Sequence, residues 1–193
     1  MPRRSPSPRP TTPPDIRVDA ATVDDLRALV DLEEAVFTGD RISARSWRAF
    51  LVSPTASVAV AREECGRERR IVGATVALQR LNSSVARLYS IAVASDWQGR
   101  GVSTSLLQDA AQRMRDPGAA VLRLETRVDN VAAQRLFIRN GFAGRGRRHG
   151  YYEDGEDALL FQKSLWNVDA ADATPADRRG RHRQGALTWH PII

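Results

Sequence analysis

Residues 88–104 constrain this chain more than any other stretch. They read Leu-Tyr-Ser-Ile-Ala-Val-Ala-Ser-Asp-Trp-Gln-Gly-Arg-Gly-Val-Ser-Thr. An apolar strand pattern gives way to a short polar break. Gln98-Gly99-Arg100-Gly101 then opens a helical pattern over residues 102–114. Two positions without side chains at a helix start leave several backbone N–H groups bare. With the helix dipole they form an anion site suited to a phosphate or pyrophosphate. Residues 122–142 add a strand ending in Glu125 and a helix starting near Asn130. A phosphate-bearing ligand gripped mid-chain, with a carboxylate at the end of the next strand, points to an enzyme that uses a phosphate-bearing cofactor.

The flanking pattern predicts one mixed sheet. A short strand is expected at 16–18. Thr22 can cap a helix whose apolar positions Leu26, Leu29, Val30, Ala35, Val36 and Phe37 recur at helical spacing. Gly39 breaks it, and Ser43 or Ser46 starts a second helix that Pro54 stops. Residues 57–61, 71–81 and 85–94 read as three strands in a meander, the first two joined by a polar turn at Cys65. After the helix at 102–114 come a strand at 120–126, a helix at 131–140, and a strand pair at 142–151 and 158–165. This order gives an α/β (α+β) sheet with helices on both faces. Residues 1–14, with six prolines and three arginines, are expected to form a disordered arm, and 166–193 a basic disordered tail. The folded domain is then 15–165, and no internal repeat is visible.

Three motifs in this frame resemble one family. Gln98-x-x-Gly101-x-Ser103 is similar to the Q/R-x-x-G-x-G/A acyl-CoA signature of the GCN5-related N-acetyltransferases (GNAT). Asn130-x-x-Ala133-x-x-Leu136-Phe137-x-x-x-Gly141-Phe142 resembles that family's second motif. The run Tyr151-Tyr152-Glu153-Asp154-Gly155-Glu156-Asp157-Ala158-Leu159 resembles the branch typified by the ribosomal-protein alanine N-acetyltransferases, which act on protein N-termini. The resemblance covers residues 15–165. It implies a mainly antiparallel sheet in which the fourth and fifth strands splay apart to take the pantetheine arm of acetyl-CoA.

The resemblance also implies roles. The N–H groups of Gly99, Arg100, Gly101, Val102, Ser103 and Thr104, with Gln98 before them, would face the pyrophosphate. Ser103 stands where Gly or Ala is usual and is small enough to fit. Ile91, Ala92 and Val93 would pair with pantetheine as an added strand, and Val93 N–H would reach the acetyl carbonyl. Asn130 is a contact for the cofactor arm, a plain helix cap, or both. Glu125 is the candidate base, acting directly or through water. Alternation puts it on the face of Arg123, opposite Leu122 and Leu124, so a polar setting is expected whether or not it acts. Phe137 departs from the pattern, because the family carries a tyrosine there that protonates the leaving thiolate. Tyr89, Tyr151, Tyr152 or water would have to replace it. Tyr152 and Tyr151 read first as acceptor-pocket residues or a strand-edge aromatic pair and second as acids, with Tyr152 the one taken as catalytic.

Bulk properties narrow the partners. The net charge is +6, but residues 1–14 contribute +3 and 166–193 contribute +1, which leaves +2 on 15–165. The basic pI is mostly a property of the tails, so nucleic acid is not expected to bind the core. One cysteine, Cys65, excludes an intrachain disulfide and fits a reducing compartment; the cytoplasm is the expected location. His149, His182 and His190 have no metal-ligand spacing, and no metal is expected. No apolar run approaches the ~20 residues of a membrane span. The expected partners are therefore acetyl-CoA and an amine acceptor, a peptide N-terminus or a small amine, with a homodimer left open. A dinucleotide-binding unit fails because Thr104 replaces the third glycine and repeated βαβ units are missing. A nucleophile elbow at residues 101–105 lacks its last glycine. A non-catalytic acyl-CoA-binding or protein-interaction module remains the alternative of another class. A third option is an RNA- or ribosome-tethered protein that uses its arginine tails.

Overall fold

The computed structural model describes residues 16–39, 41–65 and 68–166. Seven strands and four helices follow one another as β1 (Ile16–Ala20), α1 (Leu26–Val36), α2 (Ala44–Val52), β2 (Ala56–Cys65), β3 (Glu68–Gln79), β4 (Val85–Val93), α3 (Val102–Arg115), β5 (Val121–Arg127), α4 (Val131–Arg139), β6 (Ala143–Arg148) and β7 (Ala158–Ser164). The element order is the one the sequence predicts. The expected arms over 1–14 and beyond Trp166 lie outside the described residues, as does the turn after Cys65.

Local chemistry sets the helix starts. Ser43 Oγ accepts the Ser46 N–H at 3.1 Å and caps α2. Thr22 does not cap α1 directly. A short 3₁₀ turn, Val23–Asp25, intervenes, and Asp25 Oδ2 accepts the Thr22 N–H at 2.8 Å.

The sheet order is β1-β2-β3-β4-β5-β7-β6. All neighbours are antiparallel except β4 and β5. Thus β7 inserts between β5 and β6 and leaves β6 as an edge strand. The parallel pair is short: Val85, Ala86 and Arg87 oppose Val121, Leu122 and Arg123, and the ladder then stops. Beyond that rung β4 and β5 separate, which is the expected splay.

A bulge in β4 decides which side chains reach which face. Val76 opposes Ser90 while Ala77 opposes Leu88, so Tyr89 is the extra residue. On one face lie Gly73, Leu88, Leu122, Leu124 and Phe161, covered by α3 and α4. A Cβ on Gly73 would meet Leu106 Cδ1 of α3 at 2.9 Å, and Phe137 of α4 packs on Phe161 at 6.0 Å between ring centroids. On the other face lie Arg87, Tyr89, Arg123 and Glu125, beside α1 and α2. There Phe50 meets the Tyr89 ring edge-on at 5.2 Å. No helix of the described residues is long and apolar enough to cross a membrane.

Candidate functional site

The cleft sits where β4 and β5 part, at the starts of α3 and α4, with Val36 from the end of α1 also at its wall. A cavity of about 240 Å³ is lined by Val36, Ile91, Val93, Gln98, Gly99, Ser103, Asn130, Ala132, Ala133 and Leu136. It joins the start of α3, the open edge of β4 and the start of α4. Gly99 and Gly101 have φ of +74° and +84°, and Gly101 is the left-handed N-cap residue of α3. That region favours glycine. Nothing lies within 4 Å of the place a Cβ would take at either position, so the loop faces open space. These bare N–H groups suit an anion at a helix N-terminus.

The open edge of β4 is equally defined. Ala94 N–H donates to Val72 O at 2.9 Å, toward β3. Strand alternation then turns the N–H and C=O of Ile91 and Val93 toward the gap and those of Ala92 toward β3. The residues present therefore fit an acyl-CoA: an anion cradle at one end and an unpaired strand edge beyond it. Of the residues singled out by sequence, Ile91, Val93, Gln98, Gly99, Ser103 and Asn130 line the cavity, and Ala92, Arg100, Gly101, Val102 and Thr104 do not. Val102 is buried and touches the space a Gly73 side chain would occupy, and Arg100 lies over the Trp97 ring at 5.1 Å. Asn130 is a helix cap and also lines the cavity; its Oδ1 accepts the Ala133 N–H at 2.9 Å at the start of α4.

On the opposite face, polar side chains gather at the end of the short ladder. Glu125 lies two residues past the last β4–β5 rung. Arg87 Nε donates to its Oε2 at 2.8 Å, and Arg87 Nη2 donates to Tyr151 Oη at 3.0 Å. Tyr151 and Tyr152 pack edge-to-face at 5.2 Å, and Arg127 stands over the Tyr152 ring at 5.0 Å. Both phenols are pushed well above the usual tyrosine range, chiefly by burial, with Glu125 adding to it. They stay protonated at neutral pH. Strand β5 runs on to Arg127, so Glu125 sits inside the strand and not at its end.

The expected strand over 142–151 stops at Arg148, so the two tyrosines belong to the β6–β7 connection and not to a strand edge. Gly150 has φ +56°, and the Tyr151 and Tyr152 N–H groups both go to Glu156 O, at 2.9 and 3.1 Å. Asp157 anchors the connection by accepting the Gly150 N–H and His149 Nδ1, both at 2.8 Å, and Arg147 Nε. The Gly150 N–H, with Arg147 and His149 behind it, holds the Asp157 carboxyl below the usual range.

Three features were not read from sequence. Arg87 breaks an apolar strand run, which is a usable signal, but its partner Glu125 is 38 positions away. Glu33 occupies a buried helical position with 1% exposure. Its Oε1 accepts the Ile42 N–H at 2.8 Å, which ties α1 to the start of α2, and its Oε2 has no hydrogen-bond partner among the described residues. Burial pushes its carboxyl up to about 7, against the smaller opposing effects of the Ile42 N–H and Arg41. Third, the full burial of Phe137 between Phe142 and Phe161, on the α3/α4 side of the sheet, was not read, although its missing hydroxyl was.

Residues 26–142, more than half of the chain, match the family described as Acetyltransferase (GNAT) family. The chain belongs to the GNAT family. It is 34% identical over 95 residues to N-alpha-acetyltransferase 30 of Schizosaccharomyces pombe, a match covering 48% of this chain and 63% of that protein. The ribosomal-protein-S18-alanine N-acetyltransferase from Escherichia coli superposes with a TM-score of 0.68 at 24% identity, over 78% of this chain and 94% of that one. Arabidopsis thaliana NAA60 in complex with acetyl-CoA superposes with a TM-score of 0.69 at 18% identity, over 78% and 98%. At these identities the superpositions bear on the fold. This GNAT chain spans between 46% and 63% of the length of the first curated relatives it matches.

Proposed function

We propose that this GNAT chain is an acetyl-CoA-dependent N-acetyltransferase. It transfers the acetyl group to the α-amine of a peptide or protein by direct attack within a ternary complex. One observation carries the reading: β4 and β5 stop pairing after Arg87 and Arg123, and past that rung a cavity beside the bare N–H groups of the α3 start lies on one face while Glu125 lies on the other. The cofactor enters from the α3/α4 face and the acceptor from the α1/α2 face. The Tyr151–Tyr152 pair and the N-terminal acetyltransferases among the relatives favour a peptide amine over a small one.

Bound acetyl-CoA supplies an activated acyl group. The chain does the rest. The N–H groups of 99–104 hold the pyrophosphate, and Val93 N–H donates to the acetyl oxygen where negative charge develops. Glu125, steadied by Arg87, takes the ammonium proton at its carboxylate, directly or through water. Tyr152 is held protonated and no hydrogen bond engages its hydroxyl among the described residues, so it is assigned the donor role that Phe137 cannot fill. Tyr151, bound through Arg87 to Glu125, positions the base.

The absence of a hydroxyl at Phe137 favours a second reading, an acyl-CoA-binding module without turnover. Thiol release from acetyl-CoA, followed against a panel of peptides and small amines, separates the two. Peptide-dependent release supports the transferase. Tight acetyl-CoA binding with no release against any amine supports the module.

A further inference from the structure

Beyond Glu125, the acceptor face carries charge that the chemistry above does not use. Strand β5 alternates, with Leu122, Leu124 and Thr126 buried on the cofactor side and Arg123, Glu125 and Arg127 half-buried on the acceptor side. Arg127 is committed to Asp129 and Asp154 at 3.1 and 2.9 Å. Arg87, level with Arg123 across the last parallel rung, is committed to Glu125 and Tyr151. Arg123 has no such partner. Its Nε is buried without a hydrogen bond, and among the described residues no carboxylate pairs with it.

A second guanidinium stands beside it. Gly144 opposes Phe161 and Gly146 opposes Leu160, so Arg145 is an extra residue in β6, aimed by a bulge between two glycines. It lies close enough to Arg123 to disfavour that side chain's charge, after the larger effect of burial and against an opposing effect of Glu125. Arg145 also has no ion-pair partner among the described residues. Two like charges brought together, neither of them ion-paired and with Glu125 only partly offsetting them, cost stability unless an anion completes them.

Resting on the transferase reading, we infer that Arg123 and Arg145 form an anion subsite for a carboxylate side chain of the acceptor peptide. The spacing says where that acid sits. Arg123 is two strand residues from Glu125, ~7 Å along β5, and β6 lies two strands across, ~10 Å away. An extended peptide advances ~3.4 Å per residue. With its amine at Glu125, the side chains of its second to fourth residues reach the pair. The substrates are then peptides with Asp or Glu at positions two to four, and Arg123 and Arg145 select them.

The test compares kcat/KM for matched peptides that carry Glu, Gln or Lys at positions two to four, with wild type, Arg145→Gln and Arg123→Gln. The wild type is expected to prefer Glu over Gln about tenfold, with the difference in KM. The preference is expected to shrink with added salt and to fall toward one in either variant. Arg145 is exposed on an edge strand, so its variant keeps the test usable if Arg123→Gln misfolds, and Arg123→Lys should restore part of the preference. If all peptides are acetylated with equal kcat/KM, or the variants keep the Glu preference, the subsite is wrong while the transferase reading stands. If no peptide of any charge is acetylated, both fall.

Discussion

At the residue scale, Glu33 and Tyr152 carry the sharpest consequences. The folded Glu33 carboxyl holds its proton up to about 7, whereas an exposed one loses it near 4.5. Between these values the folded chain binds more protons than the unfolded chain. Stability from this group is therefore full below about 4.5 and is lost as pH rises through 7. Glu33→Gln keeps an acceptor for the Ile42 N–H and removes the titration. The gap in unfolding free energy between variant and wild type should grow by ~2–3 kcal/mol from pH 4.5 to pH 8, as read by urea unfolding at each pH. A constant gap would mean that Glu33 does not titrate in this range. Tyr152→Phe removes the assigned donor and should lower kcat by roughly 10²-fold, with little change in acetyl-CoA affinity. An unchanged kcat would leave water or Tyr151 in that role. Residue types and their strand faces were readable from sequence: Glu125 falls beside Arg123 and opposite Leu122 and Leu124, as alternation requires. The Arg87–Glu125 pair was not readable, because it depends on the register of a parallel rung formed across a helical crossover.

At the scale of elements, the loop before α3 and the connection before β7 do separate work. Gly101 holds a left-handed backbone at the helix start. Gly101→Val strains it and crowds the anion cradle, so calorimetry should show acetyl-CoA binding weakened at least tenfold, the equivalent of ~1–2 kcal/mol. The β6–β7 connection depends on Asp157 instead. Asp157→Ala frees the Gly150 N–H and its neighbours and loosens the segment that presents Tyr151 and Tyr152. It should raise KM for the acceptor and leave the acetyl-CoA Kd where it was; equal effects on both would argue for global damage. Helix and strand boundaries in the sequence were good to a few residues because glycine, proline and capping serines punctuate them. The early end of β6 was not foreseen, since Arg147, Arg148 and His149 continue a polar run that looks the same in a strand as in a loop. Only the Asp157 contacts, ten and fewer positions on, show that the chain has turned.

On the scale of the whole molecule, the proposed function requires one sheet to bring two ligands together from opposite sides. The β4 bulge at Tyr89 makes that possible. It shifts the side-chain phase, so that Ile91 and Val93 face the α3/α4 side while Arg87 and Tyr89 face the α1/α2 side. Neither the bulge nor the insertion of β7 between β5 and β6 leaves a local sequence signature, because both are settled by which strands pair. With the cavity on one face and Glu125 on the other, the proposal predicts that cofactor binding and proton abstraction are separable. The most direct measurement pairs calorimetric titration with acetyl-CoA and turnover against a peptide acceptor, for wild type and Glu125→Gln. The two proteins should bind acetyl-CoA with the same affinity, within about twofold, while turnover by Glu125→Gln falls by 10²-fold or more. Loss of acetyl-CoA binding in the variant, or undiminished turnover, would contradict the placement of Glu125 as the base on the acceptor side.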